Sequence, residues 1–124
     1  MELNPEKDLS VNVSDLNYEF RNFSIVFYRY CSLKADVEKK RDIAKARLKE
    51  AKAVTYKRIK SDPSVKHTEK SLEAEIDTDA YVLDAQMRLI EVEHEAATWA
   101  GAVDSMRAKK DMLMQIGADA RKDK

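Results

Sequence analysis

The chain has 124 residues, 23 basic and 23 acidic side chains for no net charge, 44% hydrophobic residues, and only 2 Gly and 2 Pro. That is room for a single domain, and so few turn-forming residues exclude a sandwich, a barrel or a multi-unit α/β fold. An all-α fold is expected, with a thin core that assembly would help. Its apolar share leans on alanine, and a domain of this size buries about two-thirds of its unfolded surface.

Residues 1–13 hold Pro5 without helical spacing and read as a flexible N-terminal arm. A single helical domain then spans 14–116. Ser14 is the expected N-cap, with Asp15 and Glu19 at the positive end of the helix dipole. Leu16, Phe20, Phe23, Phe27, Tyr30, Val37, Ala44, Leu48 and Ala51 keep a 3-4 spacing, which predicts one long helix over about 15–60. Pro63 ends it in a turn at 61–64.

Leu72, Ile76, Ala80, Leu83, Met87, Ile90, His94 and Ala97 resume the spacing over a helical segment of about 68–100. Val82, Leu89, Ala96, Trp99, Val103 and Met106 form a second stripe beside it, and two stripes imply two neighbours. Gly101 marks a close crossing or a break before a short C-terminal helix at about 102–116, and Gly117 its C-cap, followed by a basic tail at 117–124. A helix of 15–60 would be about 70 Å long against a ~14 Å radius of gyration for a compact domain of this size. The expected architecture is an elongated helical hairpin that associates with copies of itself. The expected subunit contact is Trp99, Gly101, Val103, Met106 and Leu113.

The zero net charge hides segregation. Residues 34–70 hold 13 basic and 6 acidic side chains, and residues 71–104 hold 1 and 9. Lys and Arg between Lys39 and Lys60 could neutralise phosphates, with Tyr56 available to stack on an unpaired base. Alternatively, a hairpin at Pro63 would lay this arm against the acidic one and pair the charge internally.

One cysteine, Cys31, leaves no internal disulfide. The polar, acidic start does not read as a signal peptide, and the longest apolar or aromatic run, Ile25 to Tyr28, is far below the roughly 20 residues of a membrane span. The chain reads as cytoplasmic. Glu91 and His94 supply one Glu-x-x-His, where a di-metal bundle needs two with further carboxylates, so no metal or other cofactor is expected. No phosphate loop, catalytic triad or zinc pattern is present, which argues against an enzyme. Six of the nine aromatic residues lie between Tyr18 and Tyr30, most on one helix face.

Leu16-Asn17-Tyr18-Glu19, Glu69-Lys70-Ser71, Ile76-Asp77, Val82-Leu83 and Gly101-Ala102-Val103-Asp104-Ser105-Met106-Arg107 occur in that order. Together they resemble the UvsY-like recombination mediators of tailed bacteriophages, over roughly residues 14–116. The resemblance implies a non-enzymatic protein of DNA recombination and repair. Such a protein binds single-stranded DNA as a ring-like homo-oligomer, a heptamer, and helps a RecA-like phage recombinase displace single-strand-binding protein. The family's Leu-Lys-Ala-Arg DNA-binding motif has two counterparts. Ala44-Lys45-Ala46-Arg47-Leu48 matches by letters, and Thr55-Tyr56-Lys57-Arg58-Ile59 by distance to Pro63. The candidate DNA-binding set is therefore Lys57, Arg58, Lys60 and Tyr56 with Lys45, Arg47 and Lys52. The competing readings are a structural or assembly protein of a phage with the basic arm paired internally, and a metal-binding bundle built on Glu91 and His94.

Overall fold

A computed structural model describes residues 3–122, which contain helices and no strand. Helix α1 is Pro5–Leu9, a 3-10 turn follows at Val13–Asp15, α2 is Leu16–Lys60, α3 is Glu69–Thr78 and α4 is Ala80–Lys122. No helix among them is long and apolar enough to cross a membrane. Two compact units are formed, one by the chain up to Asp36 with Ala96 onward, the other by Val37–Glu95.

In both units α2 and α4 meet along a seven-residue repeat. On α2 the buried residues Tyr30, Val37, Ala44 and Ala51 keep the repeat, with Val26 four before and Thr55 four after them; on α4 Val82, Leu89, Ala96 and Val103 keep it, with Val92, Met106, Lys109 and Leu113 beside them. Such a repeat keeps one narrow stripe facing the partner helix. Of the two stripes read from the sequence, the second is thus the core. Leu83, Met87 and Ile90 of the first are exposed.

In the unit that holds both chain ends, Val26, Tyr30, Val103 and Met106 form the core, covered by Leu3, Leu9, Phe23, Phe27 and Trp99. The expected flexible arm is tied down here. Asn4 caps α1 by accepting the Lys7 N–H at 3.3 Å, with Pro5 at the first helical position. Asp8 accepts the Tyr30 hydroxyl at 2.7 Å, its backbone carbonyl accepts the buried Lys109 ammonium, and Lys109 pairs with Glu19 at 3.1 Å. Glu19 also accepts the Asn12 N–H at 3.0 Å. Ser14 is not the N-cap: it lies inside the 3-10 turn, which Asn12 caps by accepting the Ser14 N–H, and Asp15 accepts the Tyr18 N–H at the start of α2.

Two helix boundaries differ from expectation. The segment 68–100 breaks at Asp79, which is extended (φ −63°, ψ 135°) and whose carboxylate accepts the Tyr81 N–H at 2.9 Å. An aspartate placed to cap the next helix favours that break. Conversely, no break separates a C-terminal helix, and α4 runs through Gly101 and Gly117 to Lys122. Neither glycine has positive φ. A glycine inside a helix costs only about 1 kcal/mol, which the packed neighbours Val103 and Met106 outweigh. Gly117 is needed for space, since a Cβ there would lie 3.1 Å from the Phe20 ring. Positions 1, 2, 123 and 124 of the expected arm and tail lie outside the described residues.

Lys109→Ala should cost about 3 kcal/mol in urea unfolding, because it strands the buried Glu19 carboxylate, whereas Lys109→Met with Glu19→Gln should cost less. Burial, and after it the Asp8 hydrogen bond, pushes the Tyr30 phenol above its usual range. The unfolded chain therefore releases this proton first, and stability should hold up to about pH 10 and fall beyond it. Melting curves across pH 8–11 should show that fall flattened in Tyr30→Phe.

Candidate nucleic-acid interface

The unit Val37–Glu95 carries the charge segregation in three dimensions. Its α2 portion, residues 37–60, has 10 basic and 3 acidic side chains, while residues 61–95 have 3 and 10. Internal pairing is nevertheless sparse. Among the described residues, the ion pairs made by the side chains of Lys39 to Lys60 are Arg41 with its neighbour Asp42 at 3.4 Å, and Arg58 with Asp79.

Helical phase sorts the sequence-predicted residues. At about 100° per residue, Lys45, Lys52, Tyr56 and Lys60 fall on one exposed row, to the side of the buried stripe of Val37, Ala44, Ala51 and Thr55. The Lys60 ammonium lies 5.9 Å from the centre of the Tyr56 ring, a cation-π distance that keeps the ring flat along the helix surface. Lys49 completes the row. It was not among the sequence-predicted residues, although its position four after Lys45 and three before Lys52 is the signal that finds it.

Arg47 and Arg58 lie on the other flank. Arg47 is about 160° around the helix from Lys45, so the two cannot grip one strand from the same face. Arg47 lines an open groove with Lys40, Ile43 and Glu50 of α2 and Tyr81, Asp84 and Arg88 of α4. Arg88 is itself 3.7 Å from Glu91. Arg58 is spent on Asp79, which also caps α4, and so ties the end of α2 to the start of α4. Lys57 is exposed and without an ion pair among the described residues, between the two flanks. The two candidate motifs are therefore not alternatives: Lys45 from one and Tyr56 from the other share the row, and the arginine of each points away from it.

The expected subunit contacts are mostly used within the chain. Val103, Met106 and Leu113 are about 1% exposed in the core of their own unit, and Trp99 packs on Tyr30 with ring centres 5.9 Å apart. They are buried because they continue the stripe that faces α2. Gly101 is exposed, with open space where a Cβ would stand, so no crossing within the chain requires it.

At the turn, Asp62 accepts both the Ser64 hydroxyl at 2.6 Å and its N–H at 3.0 Å, and these bonds hold its carboxyl below the ordinary range. His67 lies 3.7 Å from Glu75. Among the described residues no three His, Cys, Asp or Glu side chains come together to hold a metal ion.

Antiparallel packing of α2 against α4 in each unit, with one face of α2 cationic, defines an all-α protein built on two long helices. Neither a protein-family model nor a curated protein sequence matches the chain. In fold it is similar to the solved structure of the recombination mediator protein UvsY of bacteriophage T4, with a TM-score of 0.82 over 97% of this chain and 93% of that chain at 15% identity. This is the fold that the sequence resemblance implies.

Arg58→Ala should lower stability by about 1 kcal/mol, since it removes the partner of a mostly buried carboxylate. Lys57→Ala should leave the melting temperature within a degree or two, because Ala is the better helix former and no described ion pair is lost. Thermal denaturation of the two single variants checks both.

Proposed function

We propose that the protein is a non-enzymatic recombination mediator that binds single-stranded DNA and helps load a RecA-like recombinase by displacing single-strand-binding protein, in the cytoplasm of the host cell. The observation that carries this reading is the row of exposed lysines on α2, without an ion pair among the described residues, in a fold similar to that of a recombination mediator. Each lysine on the row is a point charge for one phosphate, and each contact releases counterions. Tyr56 offers a face to an unpaired base. A homo-oligomeric ring, a heptamer in this reading, would present many such rows, and the strand would gain avidity because each further contact is intramolecular.

The second reading is a helical structural or assembly protein of a phage, with the basic arm paired internally. The Arg58 pair with Asp79 favours it. The two readings separate in one experiment, the anisotropy of a labelled unpaired oligonucleotide titrated at several salt concentrations. As a mediator, the chain should bind with a steep salt dependence. Lys45→Ala with Lys49→Ala and Lys52→Ala should then shallow the slope of log K against log salt by about 0.7 per lost contact per engaged subunit, with helicity unchanged. As an assembly protein, it should show no salt-dependent binding for the triple change to reduce.

A further inference from the structure

We infer that one copy of this chain docks on another by seating the exposed row Leu83, Met87 and Ile90 of its α4 in an apolar groove between α2 and the C-terminal part of α4 of the next copy. This deepens the self-assembly contained in the mediator reading and rests on it. The row is 47, 57 and 50% exposed, and its spacing of i, i+4, i+7 is that of a helix presenting anchors to a groove. The groove belongs to the unit that holds the chain ends. Phe20, Phe23, Phe27 and Tyr28 line it from α2, and Leu113 and Met114 from α4. Its apolar length along α2, Phe20 to Tyr28, is about 12 Å at 1.5 Å per residue, against about 10 Å for the row.

Charge selects the partner. Residues 79–95, which carry the row, hold 5 acidic side chains and 1 basic one; residues 107–122, of which Lys110, Leu113 and Met114 line the groove, hold 5 basic and 2 acidic. Lys109 is spent on Glu19 and Arg107 lies 3.0 Å from Asp104. Lys110 lines the groove, and Arg121 reaches to within 3.8 Å of the Gly117 position beside Phe20. Row against row would set the flanking Asp84 and Glu93 against the same acidic flanks of the other copy, whereas row in groove sets them against Lys110 and Arg121. One chain carries both halves of the contact, and the proposal places successive copies head to tail, so that each copy added leaves a row and a groove free for the next.

Cys31 also lines the groove and is the only cysteine of the chain, so it serves as the reporter. Met87→Cys, oxidised with diamide, should give a ladder of disulfide-linked multimers on a non-reducing gel. Adding Cys31→Ser to the same chain should abolish the ladder. Leu83→Glu with Met87→Glu should reduce the mass in light scattering to that of a monomer while the helical signal of circular dichroism stays as it was, because both positions are exposed.

A gel without multimers overturns the docking, as do dimers that persist with Cys31→Ser, which would show row packed on row. An unchanged mass in the double glutamate variant overturns it too. The mediator reading fails separately, on absence of oligonucleotide binding by the unaltered chain, whatever the gel shows.

Discussion

Everything on the two long helices follows from how narrow their shared seam is. Buried positions repeating every seven residues, with a few between them, use one stripe of each helix and leave the rest of the circumference to solvent or to partners. The seam is also uneven. In the unit Val37–Glu95 it is built largely of Val37, Ala44, Ala51, Val82, Leu89 and Val92, so it removes little apolar area from water per residue. The other unit adds Tyr30, Met106 and Leu113, with Trp99 and the phenylalanines of α2 around them. The larger side chains therefore concentrate where the chain ends are gathered, and the charged unit has the lighter core.

The Lys109 cluster is the second constraint, and it is polar. A lysine held at 8% exposure is tolerable only with its donors used, and here Glu19 and the Asp8 carbonyl use them. Asp8 is available because α1 holds it in place, and Glu19 because it faces the same interior from the first turns of α2. The arm, the start of α2 and the late part of α4 are thereby joined by groups that cannot be lost singly without leaving a buried charge.

These two constraints explain which features were legible in the sequence. The 3-4 spacing from Leu16 to Ala51 specified α2, and Pro63 its end, because both are local properties of the chain. The spacing after Leu72 specified helix but not which stripe faces α2. Leu83, Met87 and Ile90 are as apolar as Val82, Leu89 and Val103, and only the seven-residue register with Tyr30, Val37 and Ala44 selects the second set. Gly101 read as a close crossing or a break because an isolated glycine carries no sign of the packing around it. Lys109 carried no signal beyond its place in the expected C-terminal helix, since its partners lie 90 and 101 positions away. The candidate DNA-binding residues were legible as a stretch but not as a face, and helical phase separates Lys45, Lys52, Tyr56 and Lys60 from Arg47 and Arg58.

That separation bears on why acidic and basic arms of one unit do not simply cancel. An ion pair needs oxygen and nitrogen within about 4 Å, and at physiological salt an exposed charge is screened beyond about 8 Å. Arg58 meets this condition because it lies at the flank next to α4, where Asp79 is fixed by its capping bond to Tyr81. Lys45, Lys49, Lys52 and Lys60 extend from the side of α2, and no described acidic side chain pairs with them. Pairing them internally would require long side chains to wrap over the helix, at an entropic cost comparable to the modest gain of a surface pair. A flexible polyanion can instead come to the row and meet several lysines at once. The acidic arm then limits how strongly the unit attracts anions at a distance without competing for the same lysines at close range.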